Sequence, residues 1–361
     1  MSAEKGKKRL DWLDAAKAVA LLLVLLSHSM RDEMREASHA LDIIYRLAYC
    51  FQMPFFFWLT GFTYWLTRKA GANGKALVKR TKRQLLPWAA YTLFIFAVFS
   101  AACLIPSLKS LLNNAGYSAM PFPRYLLMAV QANNPWSYHL WFILVLFLIT
   151  VLVTLADMLL GKHANLLCFI LITAGFAVWI AKENWPLGEW WRLTEYLSLY
   201  VPWFALGMLT AMHWDKISRL PAVPALVWGG LGLAYAVVRV LYFSGFSGNS
   251  LQVESTPIRI LVHALGYVLL SGLMVLVCRL LGKAAEGGAV RKLAVMGRNS
   301  FPIYLFHQPF CCAFLGALLY GKLHLPALLT MAVCFISSLL LPWALIKIKN
   351  LIWEGRRHDS K

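Results

Sequence analysis

The first apolar run of the chain, LDWLDAAKAVALLLVLLSHSM from Leu10 to Met30, carries within it Asp14, Lys17 and His28, residues able to do acid-base or ionic work. At about 100° per residue on a helix, Lys17 lies about 60° from Asp14, and His28, eleven positions on, falls about 20° from Lys17. All three therefore share one face. A titratable group in a spanning helix costs several kcal/mol unless it faces protein or water, so this face is expected to line a cavity. An imidazole there can move a proton or attack as a nucleophile near neutral pH. Asp14 and Lys17 also admit a plainer reading as headgroup-level residues, where a lysine snorkels.

Four further constellations could carry chemistry. Arg80 and Arg83, in KRTKRQLLPW, stand three apart, so on a helix their guanidiniums point the same way and can fork onto phosphate oxygens. A positively charged anchor is the simpler account of that spacing. SYHLWF sets His139 at the mouth of an apolar run, where a histidine is expected to be hydrated. TPIRILVHALG puts Arg259 and His263 on one helix face, which suits a shared polar environment or plain packing. In GRNSFPIYLFHQPF, Asn299 or Ser300 is expected to cap a helix with Pro302 in its first turn and Tyr304 and His307 on one face. His307 would stand about 12 Å into the membrane and need a partner, which a structural hydrogen bond or a catalytic role supplies equally well.

Apolar helices must hold these groups, and the composition provides them. The 361 residues are 60% hydrophobic and only 14% charged, with a mean hydropathy of +0.62. Soluble domains are far less apolar, so the chain reads as all-α, a polytopic integral membrane helical bundle. Spans are expected at about 10–30, 44–66, 85–106, 140–160, 165–181, 196–212, 222–243, 258–281, 300–320 and 326–346, ten in all. An even number puts both termini on one side. Lysine and arginine favour the loops on the side of the basic tail MSAEKGKKR by about two to one, so both termini are expected in the cytoplasm. The net charge of +19 is then largely topological, and no nucleic-acid module is needed to explain it.

The first run is too long for a cleavable signal peptide and is expected to remain as an anchor. In the second span, FQMPFFFWLTGF, Pro54 and Gly61 are expected to bend or thin the helix where neighbours pack closely. The seven cysteines lie in apolar segments without paired metal spacing and read as small core residues, and no metal is expected. The aromatics of ENWPLGEWWRLTEY suit an interfacial belt or, less simply, sugar stacking. A single membrane domain, 10–350, is expected between a basic cytoplasmic tail at 1–9 and a second cytoplasmic tail at 351–361.

Taken in order, RLDWLDAAKAVALLLVLLSH, MPFFFWLTGF, the R-x-x-R-x-x-L-P of the third span, HLWF and NSFPIYLFH resemble the acyltransferase 3 family of polytopic membrane acyltransferases, over nearly the whole chain. The resemblance implies transfer of an acyl group, commonly acetyl, from cytoplasmic acyl-coenzyme A to a hydroxyl of a glycan or lipid-linked sugar on the other face of a bacterial inner membrane. His28 matches the functionally required histidine of the first helix, and Arg80 and Arg83 match the arginine pair linked to donor binding. Lys17 stands where the family usually has arginine, which keeps the charge but not the fork, and Thr60 stands where serine is common. No appended soluble transferase domain is seen, so the bundle or a separate protein would complete the transfer.

The residues suit that chemistry on their own terms. Coenzyme A is polyanionic, and an arginine fork fits its phosphates. Lys17 and His28 are about 16 Å apart along the helix, which places His28 where a thioester from one side meets a hydroxyl from the other. His28 could then serve as general base or accept the acyl group itself. Asp14 would orient Lys17, and His307 or Tyr304 would donate to the developing oxyanion. Two rival readings remain open on the same bundle: a transporter of glycans or lipid intermediates, and a non-catalytic part of an envelope polysaccharide machine. Acetyl and succinyl donors are not distinguished.

Overall fold

The computed structural model describes residues 10–68, 74–114, 117–242 and 256–358. The basic tail at 1–9 and residues 359–361 of the expected second tail lie outside the described residues. Every regular element among the described residues is helical.

The organising helix is α1 (Asp11–His28). One turn after another it buries alanine and aliphatic side chains: Ala15, Ala16, Ala18, Ala20, Leu21, Val24 and Leu25 are fully inaccessible. Such small side chains let neighbouring backbones come close, and contact rather than water exclusion drives helix association in lipid. The closest neighbours are α3 (His39–Thr67) and α13 (Gly288–Arg298). At the α13 crossing, a Cβ on Gly297 would stand 1.7 Å from the Asp14 carbonyl oxygen, so only glycine fits. Arg298 reaches the start of α1 and pairs with Asp11 at 3.0 Å.

The helix α9 (Trp191–Met212) crosses α3 through a reciprocal glycine contact. A Cβ on Gly61 would meet the Phe204 carbonyl oxygen at 1.9 Å, and one on Gly207 would meet that of Trp58 at 1.9 Å. This is the close packing expected at Gly61, while Pro54 is accommodated inside a continuous α3. Around this centre stand α4 (Gly74–Ala102), α7 (Trp141–Leu160), α8 (Ala164–Ala181), α11 (Ala222–Tyr242), α12 (Thr256–Lys283) and α15 (Ala327–His358).

Among the described residues, six stretches are long and apolar enough by length and composition to cross a membrane: Leu77–Ala102, Tyr138–Ala181, Ala222–Tyr242, Pro257–Lys283, Ser300–Lys322 and Ala327–Ile348. The second of these, 44 residues long, contains both α7 and α8, which a short turn separates. The expected ten require α7 and α8 to be counted apart and α1, α3 and α9 to be added. Those three are not among the six: α1, for one, carries Asp11, Asp14 and Lys17 within its 18 residues.

Three features depart from the sequence reading. The expected straight span at 300–320 is broken: α14 (Ser300–Phe306) gives way at Gln308, whose φ/ψ of −118°/145° is extended, before wider helical turns resume over His307–Phe314 and Ala317–Lys322. Pro309 is the reason, because its ring disfavours the helical region for the residue before it. Asn299 occupies the cap position of α14 but makes no capping bond with its side chain, which instead donates to the Val295 carbonyl at 2.9 Å. Finally, the connection at 107–139 between two expected spans is not plain loop: its described residues carry α5 (Pro106–Asn114) and α6 (Phe122–Val130). It is tied down by Asn134, which donates to the Tyr125 carbonyl at 2.6 Å and accepts from the Trp136 amide at 2.9 Å. Trp185, Trp190 and Trp191 stay nearly half exposed, as a belt at the membrane surface requires.

Candidate active site

Two cavities of similar size enter the bundle along α1. The first, about 580 Å³, surrounds His28 at the end of the helix and is lined by Gln52, Tyr138, Trp141, Tyr304 and Gln308, with Arg31, Asp32 and Glu33 at its rim. The second, about 560 Å³, lies toward the start of α1 and is lined by Lys17, Thr60, Tyr64, Arg80, Arg83 and Phe301.

In the histidine cavity, His28 is the last residue of α1, and no hydrogen bond holds its ring nitrogens among the described residues. Its imidazole faces its neighbour His307, ring centroids 5.2 Å apart, and His307 in turn meets His139 at 5.7 Å and Tyr304 at 5.2 Å. His307 is wholly buried, and its Nδ1 lies 2.6 Å from the Tyr304 carbonyl oxygen. A carbonyl only accepts, so Nδ1 carries the proton and Nε2 presents a lone pair, which has no partner among the described residues. Tyr304 donates its hydroxyl proton to the His139 carbonyl. The expected oxyanion donors are therefore both committed otherwise: the Tyr304 proton is spent on backbone, and His307 offers an acceptor.

His139, expected to be hydrated, is buried instead, its ring set among those of Tyr91, Tyr304 and His307. Its Nε2 has no partner among the described residues. A second residue escaped the sequence reading altogether. Gln52, buried in α3, accepts from the Ser27 hydroxyl through Oε1 at 2.9 Å, which leaves its amide NH₂ as the donor it can offer to the cavity. The signal was present, since a glutamine within an apolar span demands a polar partner.

In the arginine cavity, Lys17 pairs with the buried Asp14 at 3.2 Å, one turn back on α1. Arg80 donates to Thr154 Oγ1 at 3.0 Å and lies 4.1 Å from the centre of the Tyr64 ring. Arg83 stands one turn further along α4 and is exposed. Neither arginine has a carboxylate within ion-pair distance among the described residues, so both charges are available to an anion. The local carboxylate, Asp157, is taken by Arg68, whose Nε lies 2.9 Å away, and by the Tyr64 hydroxyl at 3.0 Å. This Arg68–Asp157–Tyr64 group was not singled out from sequence. Arg68 was hidden in a charge cluster that topology already explained.

The cavities share no lining residue, and the wall between them is thin. On α14, Phe301 faces the arginine cavity and Tyr304 the histidine cavity, one helical turn or about 4.5 Å apart. On α7, Trp141 and Ile143 divide in the same way with one residue between them. That residue, Phe142, packs its ring against Tyr304 at 5.2 Å, Phe56 at 5.5 Å and Phe57 at 5.2 Å. Aromatic rings thus stand between the guanidiniums and the imidazole.

Arg259 and His263 do share a face, and both meet Trp179: the His263 ring stacks on it at 4.0 Å, and the Arg259 guanidinium lies 5.5 Å from its centre. They stand apart from the His28 cluster. The described cysteines are all free thiols, most of them in the core, and no group of three His, Cys, Asp or Glu among the described residues is placed to hold a metal ion.

An all-helical membrane protein with two opposed polar cavities, one basic and one built on histidine, is the class that this fold and geometry define. Its sequence matches the profile of the acyltransferase 3 family, described as an acyltransferase domain, over residues 10–347, and the chain belongs to that family. No curated protein and no solved structure matches it.

Proposed function

We propose that this protein is a ten-span membrane O-acyltransferase of the bacterial inner membrane, both termini cytoplasmic, that moves an acyl group, acetyl in the first instance, from cytoplasmic acyl-coenzyme A to a hydroxyl of a cell-surface or periplasmic glycan or lipid-linked sugar. The observation that carries this reading is the pair of cavities along α1: among the described residues, two guanidiniums without a carboxylate partner in one, an imidazole without a hydrogen-bond partner in the other, and about one turn of α14 between their linings.

Arg80 and Arg83, with Lys17 held by Asp14, take the phosphates of the donor, since paired guanidiniums match phosphate oxygens. The thin pantetheine arm then passes the Phe142 plug, which must part, and brings its thioester to His28. His28 removes the proton from the acceptor hydroxyl as that oxygen attacks the thioester carbonyl; the C–O bond forms, the C–S bond breaks, and coenzyme A leaves as the thiol once protonated. In the two-step variant the imidazole nitrogen first takes the acyl group, and the hydroxyl then displaces it. Gln52 is the amide donor nearest in role to an oxyanion hole.

Binding of acetyl-coenzyme A to the purified protein tests the donor half of this reading. Wild type binds, and the double variant Arg80→Ala/Arg83→Ala binds at least about a hundredfold more weakly, as loss of two charge-assisted contacts requires. Equal binding by the variant overturns the assignment. Two cavities lying toward opposite ends of α1 also suit a transporter working by alternating access. A transporter would move its glycan in vesicles that contain no acyl donor at all.

A further inference from the structure

A third, smaller cavity lies beside the histidine cavity, between α3, α9, α11 and α12. It measures about 90 Å³, the share of about three waters, so it holds one compact group and no sugar ring. Its walls are aromatic, with Tyr49, Tyr200, Tyr235 and Tyr267 among them, and Arg239 stands in it at the last turn of α11. The Arg239 guanidinium donates to Cys50 Sγ at 3.7 Å, a weak acceptor, and no carboxylate lies within ion-pair distance of it among the described residues. The neighbouring charges give it no balance. Arg46 is held by Asp42 at 2.6 Å and Lys182 by Glu195 at 3.6 Å. Two of the tyrosine hydroxyls spend their protons on backbone: Tyr235 donates to the Val262 carbonyl at 2.8 Å and Tyr267 to that of Leu199 at 3.2 Å. A guanidinium within a bundle is costly unless an anion meets it, and this one sets five donors against a thiol and the Tyr235 hydroxyl, both neutral, among the described residues.

Tyr45 and Tyr49 stack with centroids 5.5 Å apart and line both this cavity and that of His28. From this juxtaposition we propose that the Arg239 cavity is an anion subsite of the acceptor: it holds an oxyanion of the acceptor, phosphate or carboxylate, while a hydroxyl of the same molecule reaches His28 across the tyrosine wall. The acceptor is then an acidic molecule. This inference rests on the acyl-transfer reading for its purpose, although the subsite itself does not.

Cys50 reports on the subsite because its thiol touches Arg239. The experiment follows alkylation of Cys50 by N-ethylmaleimide in the full-length protein in detergent, by peptide mass spectrometry, with glycerol phosphate, glucuronate or neutral glucose present at equal ionic strength. The expected result is that an oxyanion slows labelling of Cys50 severalfold while glucose does not, and that labelling of the half-buried Cys103 is unchanged. Protection by glycerol phosphate alone assigns a phosphate, by glucuronate alone a carboxylate, and either supports the subsite. Arg239→Gln should abolish protection, and Arg239→Lys should raise the protecting concentration about tenfold through loss of the fork. The proposal is overturned if neither anion protects the wild type, or if Arg239→Gln is protected equally. The wild-type arm needs no variant to fold. Release of coenzyme A thiol from acetyl-coenzyme A, lost in His28→Ala, is read separately, so protection without turnover would remove the enzyme reading and leave the anion site.

Discussion

Replacement of Asp157 by leucine should be among the most damaging single changes in the bundle. The carboxylate is completely inaccessible and faces Arg68 at 2.9 Å, itself only 10% exposed, so the variant leaves a guanidinium without compensation inside the protein. Breaking a buried pair in this way costs about 3–5 kcal/mol, whereas replacing both partners by apolar residues is often close to neutral. Asp157→Leu and Arg68→Leu should therefore each lower the unfolding midpoint in detergent by many degrees, and the double variant should be more stable than either. A functional loss should accompany the single change at Asp157. Its Oδ2 holds the Tyr64 hydroxyl at 3.0 Å, and the Tyr64 ring lies 4.1 Å from Arg80. A loosened ring gives up about 0.5–1 kcal/mol of cation-π attraction, hence a two- to fivefold weaker grip on acetyl-coenzyme A. Stability losses that simply add in the double variant would refute the pairing, because independent sites add and coupled ones do not.

Three other outcomes follow from the same geometry. Phe142→Ala removes the plug between the cavities and should cost about 3 kcal/mol of stability while raising acceptor-independent hydrolysis of acetyl-coenzyme A; unchanged hydrolysis in a folded variant would show that the wall lies elsewhere. Gln52→Leu deletes the amide that lines the histidine cavity and should lower kcat about a hundredfold with donor binding intact, so a normal kcat removes Gln52 from the oxyanion role. Gly207→Val must push α9 off α3, since even a Cβ would sit 1.9 Å from the Trp58 carbonyl, and should leave little folded protein on size exclusion. Gly74→Ala, whose added Cβ would meet nothing within 4 Å among the described residues, should be silent in the same assay.

How much of this was legible beforehand depends on what each residue's neighbours contribute. The periodicity of α1 placed Asp14, Lys17 and His28 on one face because a helix obeys a fixed angle per residue, and the structure puts Lys17 and His28 into two cavities along that helix. The Gly61 contact was readable for a similar reason: a glycine among large aromatics in a span leaves room only for another backbone. His139 was misjudged because its burial depends on the rings of Tyr91, Tyr304 and His307, which come to it from helices distant in the sequence. The break at Gln308 was readable in principle from the proline after it, but the apolar run across it hid the signal. The barrier at Phe142 could not be read at all. It exists only where α3, α7 and α14 meet, and a phenylalanine in an apolar run looks the same whether it faces lipid or plugs a channel.

The central claim is that the His28 imidazole carries out the transfer while donor binding is settled elsewhere. The most direct measurement is the acetyl content of surface glycans, by mass spectrometry, from cells producing wild-type protein or His28→Ala, together with acetyl-coenzyme A affinity of both proteins after purification. The account predicts glycan acetylation only with wild type and equal affinity for the donor. Acetylated glycans from His28→Ala cells would contradict it.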